Sequence, residues 1–309
     1  ARRYTPVSGA NGGVVLLHGA HPRGIYETRL RAFAAALAGA GVEVLTPQLP
    51  ELSRYRIEAA TTRRIAAAAQ AHAAHLRVPA VGVIGISFAG GLALIAAAEQ
   101  DQAGAICFVV TVGAHHDLMR LARYYAGQEV QGPEGERATT LPHPYGARVL
   151  LREHLERFVP PEDVTGAEEA LDAYLRDKHS VARKLAKDLT PRGQAAMDVI
   201  LNGESKALAE MLLTSAQAAA PSLAAASPRG QLQTLRVPVY LVHGESDPII
   251  PNIETRWLAR EVPQTSLREV VVTPLLRNAE FPTPPKLGEQ WQLVSLMAKL
   301  LAEAEVSAR

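Results

Sequence analysis

The chain has a single cysteine, Cys107, so no intrachain disulfide can form. It sits inside the apolar run Ala105–Val112, where a thiol packs as a small hydrophobe. A chain without disulfides suits a reducing compartment, the cytoplasm first of all. No signal-peptide pattern is visible, but the sequence starts at Ala1 rather than Met, which is compatible with a trimmed or processed N-terminus. Charge of one sign is also missing. The 32 basic and 31 acidic residues leave a net charge of +1, with no basic block for nucleic acid and no acidic tail. His72, His75, His143, His154 and His179 are dispersed, and His115-His116-Asp117 is too compact for an ordinary zinc site. Gly85–Gly91 lacks the lysine of a phosphate loop. Neither a metal nor an organic cofactor is therefore expected. Aromatic residues make up only 5%, so Ala, Leu and Val must build most of the core. The longest uncharged run, Val78–Ala98, has 21 residues, enough to span a bilayer. Pro79, the glycines and a change of composition midway argue against one continuous helix, and no membrane span is expected.

That same run organises the chain. Val81–Ile86 is apolar and rich in β-branched residues, the pattern of a buried parallel strand. From Phe88 onward the run turns Ala/Leu-rich and helix-like. Ser87 lies at the junction among Gly85, Ala89, Gly90 and Gly91. A strand turning sharply into a helix needs small neighbours, and a serine there lifts its hydroxyl above the sheet edge, at a helix N-terminus that favours negative charge. Ser87 is the candidate nucleophile.

The rest of the chain alternates strands and helices on either side of it. Strands are expected at Gly13–Gly19, Val42–Leu45, Ala105–Val112, Val237–Val242 and Leu267–Val272, with at most one edge strand before Gly12. Helices are expected at Tyr26–Ala40, Ile57–Leu76, Ile253–Glu261 and Leu287–Ala304. This predicts an α/β fold, a doubly wound and mostly parallel sheet. From about Leu118 to Gln233 strand-like runs vanish and helical periodicity takes over, at Ala147–Phe158, Ala167–Asp177, Val181–Leu189, Gln194–Asn202 and Glu204–Ala219, with breaks at Gly132–Gly135 and Pro142–Gly146. We read residues 1–117 and 234–309 as the core and 118–233 as an inserted helical cap. Ligands in such folds bind beyond the carboxyl ends of the strands. His18, Ser87 and His115–Asp117 all fall at that edge.

A serine that attacks an acyl carbon needs a base, a carboxylate to orient the base, and donors for the oxyanion. Asp247 lies 160 residues after Ser87 in His243-Gly244-x-x-Asp247, just past a strand end. Donors would be the backbone amides of Phe88 and of Ala20, in the loop after His18-Gly19. His18 reads as an anchor of that loop, and its neighbour His21 as a substrate contact. His115 and His116 read either as substrate-side groups at the same rim or as polar rim and capping residues. With these pieces in this order the chain resembles the α/β-hydrolase superfamily, near the capped, dienelactone-hydrolase-like esterases and the peptidase-like branches. The resemblance covers nearly the whole length except 118–233, and it implies a serine hydrolase acting on carboxylic esters or related small acyl substrates. Acyltransferase and peptidase chemistry, which the same superfamily supports, stays open.

The sequence departs from that family in three ways. The fifth position of the elbow is Ala89 rather than Gly, and the N-terminal strands are largely missing. Most seriously, the family's histidine base belongs in the loop after the last strand, and there Asn278 stands, 31 residues past Asp247, with no histidine after His243. An amide cannot accept the serine proton, so turnover should fall by about 10⁴-fold or more. Three explanations follow: a deliberate His→Asn change that silences an enzyme, a naturally degenerate hydrolase that binds without cleaving, or a substitute base from His115 or His116. Asp117 is an alternative acid.

Overall fold

The computed structural model describes residues 1–7, 9–100, 104–203, 206–276 and 287–306. Its centre is a seven-stranded sheet made of β1 (Arg2–Tyr4), β2 (Gly13–Leu17), β3 (Glu43–Thr46), β4 (Val81–Ile86), β5 (Ile106–Val112), β6 (Val239–Gly244) and β7 (Leu267–Thr273). The spatial order is β1-β3-β2-β4-β5-β6-β7. Only β1 is antiparallel, pairing Arg2 with Thr46 as the one edge strand before Gly12. The run Val78–Ala98 divides as its composition implies, into β4 and a separate helix starting at Phe88. Among the described residues no helix is long and apolar enough to cross a membrane.

Helices cover both faces, and the strand residues show why. On β2, Val14 and Leu16 point to one side, where they meet Leu30, Ala34 and Leu37 of α1 (Thr28–Gly39). Val15 and Leu17 point to the other, into the larger core. This two-residue alternation, with both sides apolar, is what a doubly wound sheet demands. A short α2 (Pro50–Ser53) follows β3, and then α3 (Thr61–Leu76) and α4 (Phe88–Glu99) pack on the larger core. Every residue of α4 but Glu99 is buried, as expected of a helix apolar on all sides.

Between β5 and β6 every regular helix-length segment is helical: α5 (Leu118–Tyr125), α6 (Pro144–Arg152), α7 (Val164–Leu175), α8 (His179–Lys187), α9 (Pro191–Asn202), α10 (Lys206–Ala218) and α11 (Ala220–Ala225). Two details differ from the sequence reading. Pro142–Gly146, read as a break, holds the first turn of α6, because proline at the first helical position loses no hydrogen bond and the His143 ring accepts from the Tyr145 amide at 3.2 Å. The short helices α5 and α11 were not expected; α5 is fixed by its cap, Asp117, which accepts from the amides of Met119 and Arg120. The chain then returns through β6, α12 (Ile253–Glu261), β7 and α13 (Leu287–Val306), whose Leu300 and Ala304 close the core shared with α1.

Candidate active site

Ser87 sits at the turn between β4 and α4 with φ 56° and ψ −132°, a conformation that costs a non-glycine residue on the order of 1–3 kcal/mol. Its neighbours explain how the turn closes. A methyl group added at Gly85 would lie 2.5 Å from the Gly90 Cα, so strand and helix touch backbone to backbone there. Ala89, the departure from the family pattern, is fully buried and accommodated. The Ser87 amide donates to the Val112 carbonyl at 2.7 Å, which ties the turn to the end of β5. Among the described residues the Ser87 hydroxyl makes no hydrogen bond.

Gly19 brings the next loop against it: a methyl there would stand 3.1 Å from Ser87 Cβ and 3.8 Å from Oγ. His18 holds this loop in place. Its Nε2 accepts from the Leu49 amide at 3.0 Å, which leaves Nδ1–H to donate to the Gly19 carbonyl at 2.8 Å. Burial lowers its pKa, consistent with a neutral ring that anchors rather than reacts. Beyond it, the amide of Ala20 has no acceptor among the described residues, and neither has that of Phe88, the first residue of α4. His21 is half-buried with its pKa lowered by burial, and its Nδ1 accepts from the Arg23 amide at 3.2 Å.

Asp247 stands across β5 from Ser87, in the loop that leaves β6. Its Oδ1 accepts from the amides of Ile249 and Ile250, at 2.8 and 3.1 Å. Its Oδ2 makes no hydrogen bond among the described residues; it faces Gly113, where a methyl would lie 3.2 Å away. Glycine is favoured at Gly113 on two counts, because φ is also +66° there. His243 braces the loop from below, with Nδ1 2.6 Å from Thr255 Oγ1 and Nε2 2.8 Å from the Ile250 carbonyl. Burial lowers its pKa, and it is fully enclosed. Ser87 follows β4 and Asp247 lies in the loop after β6, with β5 between them. Strands two places apart in a sheet are separated by roughly 9.5 Å. That gap is too wide for a direct contact and suits one interposed ring.

The loop after β7 passes against the end of β6: a methyl at Gly244 would meet the Leu276 carbonyl oxygen at 2.1 Å. Asn278, two residues further on, lies outside the described residues.

The cluster after β5 is built differently. His115 is fully buried against Gly91 and Phe88, with Nε2 2.9 Å from the Ala226 carbonyl and its pKa lowered by burial to about 4. His116 lies 2.5 Å from Glu261 through Nε2 and 2.8 Å from Arg120 through Nδ1, and stacks on Trp257 at 6.0 Å. Asp117 uses Oδ1 to cap α5 and Oδ2 to bind Arg229 at 2.8 Å. Glu254, with no exposed surface, accepts from the amides of His116 and Asp117 and from Arg120 Nε at 2.6 Å. No described contact of His115, His116 or Asp117 reaches Ser87.

Sequence reasoning missed three residues that touch this site. Tyr125 Oη donates to the Ile249 carbonyl at 2.6 Å, Tyr145 Oη donates to the Ala20 carbonyl at 2.9 Å, and Glu254 holds the turn after β5. Nothing in the local sequence marks them, since their partners lie more than 120 residues away. No metal-holding cluster of His, Cys, Asp and Glu occurs among the described residues.

Comparison with known proteins bears on the family of the chain. No curated protein matches the chain. Among solved structures it is similar to a 2-hydroxy-6-oxo-6-phenylhexa-2,4-dienoate hydrolase of a Rhodococcus species, at 19% identity over 96% of this chain and 92% of that one, TM-score 0.49. It is also similar to a proline iminopeptidase of Mycobacterium smegmatis, at 18% identity over 100% and 95%, TM-score 0.49. A monoacylglycerol lipase of Paleococcus ferrophilus matches at 15% identity over 98% of each chain, TM-score 0.47. The model of the alpha/beta hydrolase family matches residues 14–277, most of the length. Its strand order, its mostly parallel sheet and this match agree, and the chain belongs to the alpha/beta hydrolase family.

Proposed function

We propose that this protein is a serine hydrolase of carboxylic esters or related small acyl substrates, held in a slow state by Asn278. In this reading Ser87 attacks the acyl carbon, and the free amides of Phe88 and Ala20 receive the oxyanion. Asp247 offers Oδ2 to the ring that would take the serine proton, and residue 278 is the seat of that ring. His21 borders the acyl substrate. Residues 118–233 act as a cap over the carboxyl edge of a core formed by 1–117 and 234–309, and they set which substrates enter. The observation that carries the reading is a strained Ser87 whose hydroxyl, like the amides of Phe88 and Ala20, has no hydrogen-bond partner among the described residues.

Neither alternative base suits the task. His115 is enclosed and bound to Ala226, and both ring nitrogens of His116 are occupied by Glu261 and Arg120. Asp117 has no free oxygen to serve as the acid. A second reading is favoured by Asn278 itself: a protein on this scaffold that binds an acyl ligand without cleaving it.

Replacing Asn278 by His separates the two. The hydrolase reading expects p-nitrophenyl acetate turnover to rise by about 10³–10⁴-fold. A fluorophosphonate probe should then label Ser87 and leave a Ser87→Ala control unlabelled. No gain in turnover, with the fold intact, would favour the binder.

A further inference from the structure

The first turn of α6 touches both loops that flank Ser87. The His143 amide donates to the Pro248 carbonyl at 2.8 Å, one residue past Asp247. Gly146 lies against the Tyr125 ring, where a methyl would approach to 2.2 Å, and the Tyr125 hydroxyl holds the Ile249 carbonyl. On the other side Tyr145 Oη holds the Ala20 carbonyl at 2.9 Å. The Tyr145 ring is itself fixed: Tyr55 meets it edge-on at 6.0 Å and 76°, and the Tyr55 hydroxyl is anchored on the Leu175 carbonyl at the end of α7. Burial raises the pKa of Tyr145 above the ordinary phenol value, so it remains a donor across the physiological range.

The Ala20 carbonyl is the only polar backbone group of that residue with a described partner. Holding it sets the plane of the following peptide and limits how far the residue can rotate. Ala20 N–H, on the other side of the same Cα, has no acceptor among the described residues and follows Gly19, the residue packed against Ser87. We infer that Tyr145 is a positioning residue: its hydroxyl, through the Ala20 carbonyl, aims the Ala20 amide at the place where charge develops over Ser87. The inference rests on the hydrolase reading and adds to it a residue of the helical insertion. The insertion then serves the chemistry as well as substrate entry.

Tyr145→Phe removes one oxygen and keeps the ring, so the fold should persist; Tyr240→Phe, whose hydroxyl bonds Glu303 far from the site, is the control. Two readouts are needed. In the chain as it stands, amide hydrogen exchange over residues 19–23 should quicken several-fold in Tyr145→Phe and not in Tyr240→Phe. In the Asn278→His background, kcat should fall about tenfold with KM changed less than about twofold, a smaller loss than deleting an oxyanion donor outright. Unchanged exchange at 19–23 overturns the inference. So does quickened exchange with kcat unaltered, or a loss confined to KM. If Asn278→His gives no Ser87-dependent turnover, the hydrolase reading fails separately; quickened exchange would still support Tyr145 as the clamp of this loop. Should Tyr145→Phe fail to fold, Ala20→Pro, which deletes the amide itself, replaces it. Its kcat should then fall at least as far, and an unaltered kcat overturns the assignment.

Discussion

The loops leaving β5 and β6 contain the same residue types and are spent in opposite ways. Each starts at a strand end and combines histidine with aspartate. After β5, Asp117 commits one oxygen to the start of α5 and the other to Arg229, while Glu254 and Glu261 occupy the amides and the His116 ring. After β6, Asp247 commits Oδ1 to its own turn, while Oδ2 makes no described hydrogen bond and lies 3.8 Å from His243 Nε2. Both histidines that brace the site loops, His18 and His243, are buried rings engaged at both nitrogens. In the cluster after β5 both oxygens of Asp117 are spent on structure, whereas the turn after β6 uses only one oxygen of Asp247 for its hydrogen bonds.

The largest expected effect attacks this contrast directly. In the Asn278→His chain, Asp247→Asn should lower kcat by about 10⁴-fold, since an amide fixes the ring in the wrong tautomer. Asp117→Asn should change it by less than about tenfold, and steady-state ester hydrolysis reads both. Equal losses would erase the distinction between the loops. Next, Glu254→Ala leaves Arg120 without its buried partner and frees two amides, so chemical denaturation should show a loss of about 3–5 kcal/mol. His115 supplies a pH signature. Its folded pKa of about 4 lies below the unfolded value near 6.5, so the unfolded chain binds the extra proton. Its contribution is absent above pH 6.5, grows as pH falls toward 4, and levels off below that. The accumulated loss is on the order of 3 kcal/mol, and it should disappear from the pH–stability curve in His115→Gln. The smallest effect is Asp117→Ala, which removes the cap of α5 and should cost about 1 kcal/mol in thermal unfolding.

The elbow was legible because its composition changes within one residue, from the β-branched β4 to the Ala/Leu-rich α4, with glycine at the backbone contact. Alternation of strand and helix likewise revealed the sheet, since each buried strand is a short apolar run. The sequence favours Asp247 as the acid through its motif, with Asp117 as an alternative that no local pattern dismisses. Asp117 is neutralised by Arg229, 112 residues away, and no local pattern announces that pairing. Tyr145 was hidden for a related reason: it lies in Pro142–Gly146, whose prolines and glycine resemble a break although Pro144 begins a helix there. The sequence shows His243 only as part of a motif; its hydrogen bonds to Thr255 of α12 and to the Ile250 carbonyl appear only in the fold. Asn278 is assigned by its sequence spacing from Asp247 alone, since it lies outside the described residues.

The proton spectrum of the Asn278→His protein tests the central claim most directly. An imidazole held between Asp247 and Ser87 donates its Nδ1–H to a carboxylate, and such a proton resonates far downfield of ordinary amides. We expect that signal in Asn278→His and its disappearance when Asp247→Ala is added. A spectrum without it, or a signal that survives the loss of Asp247, would contradict the convergence of these two positions.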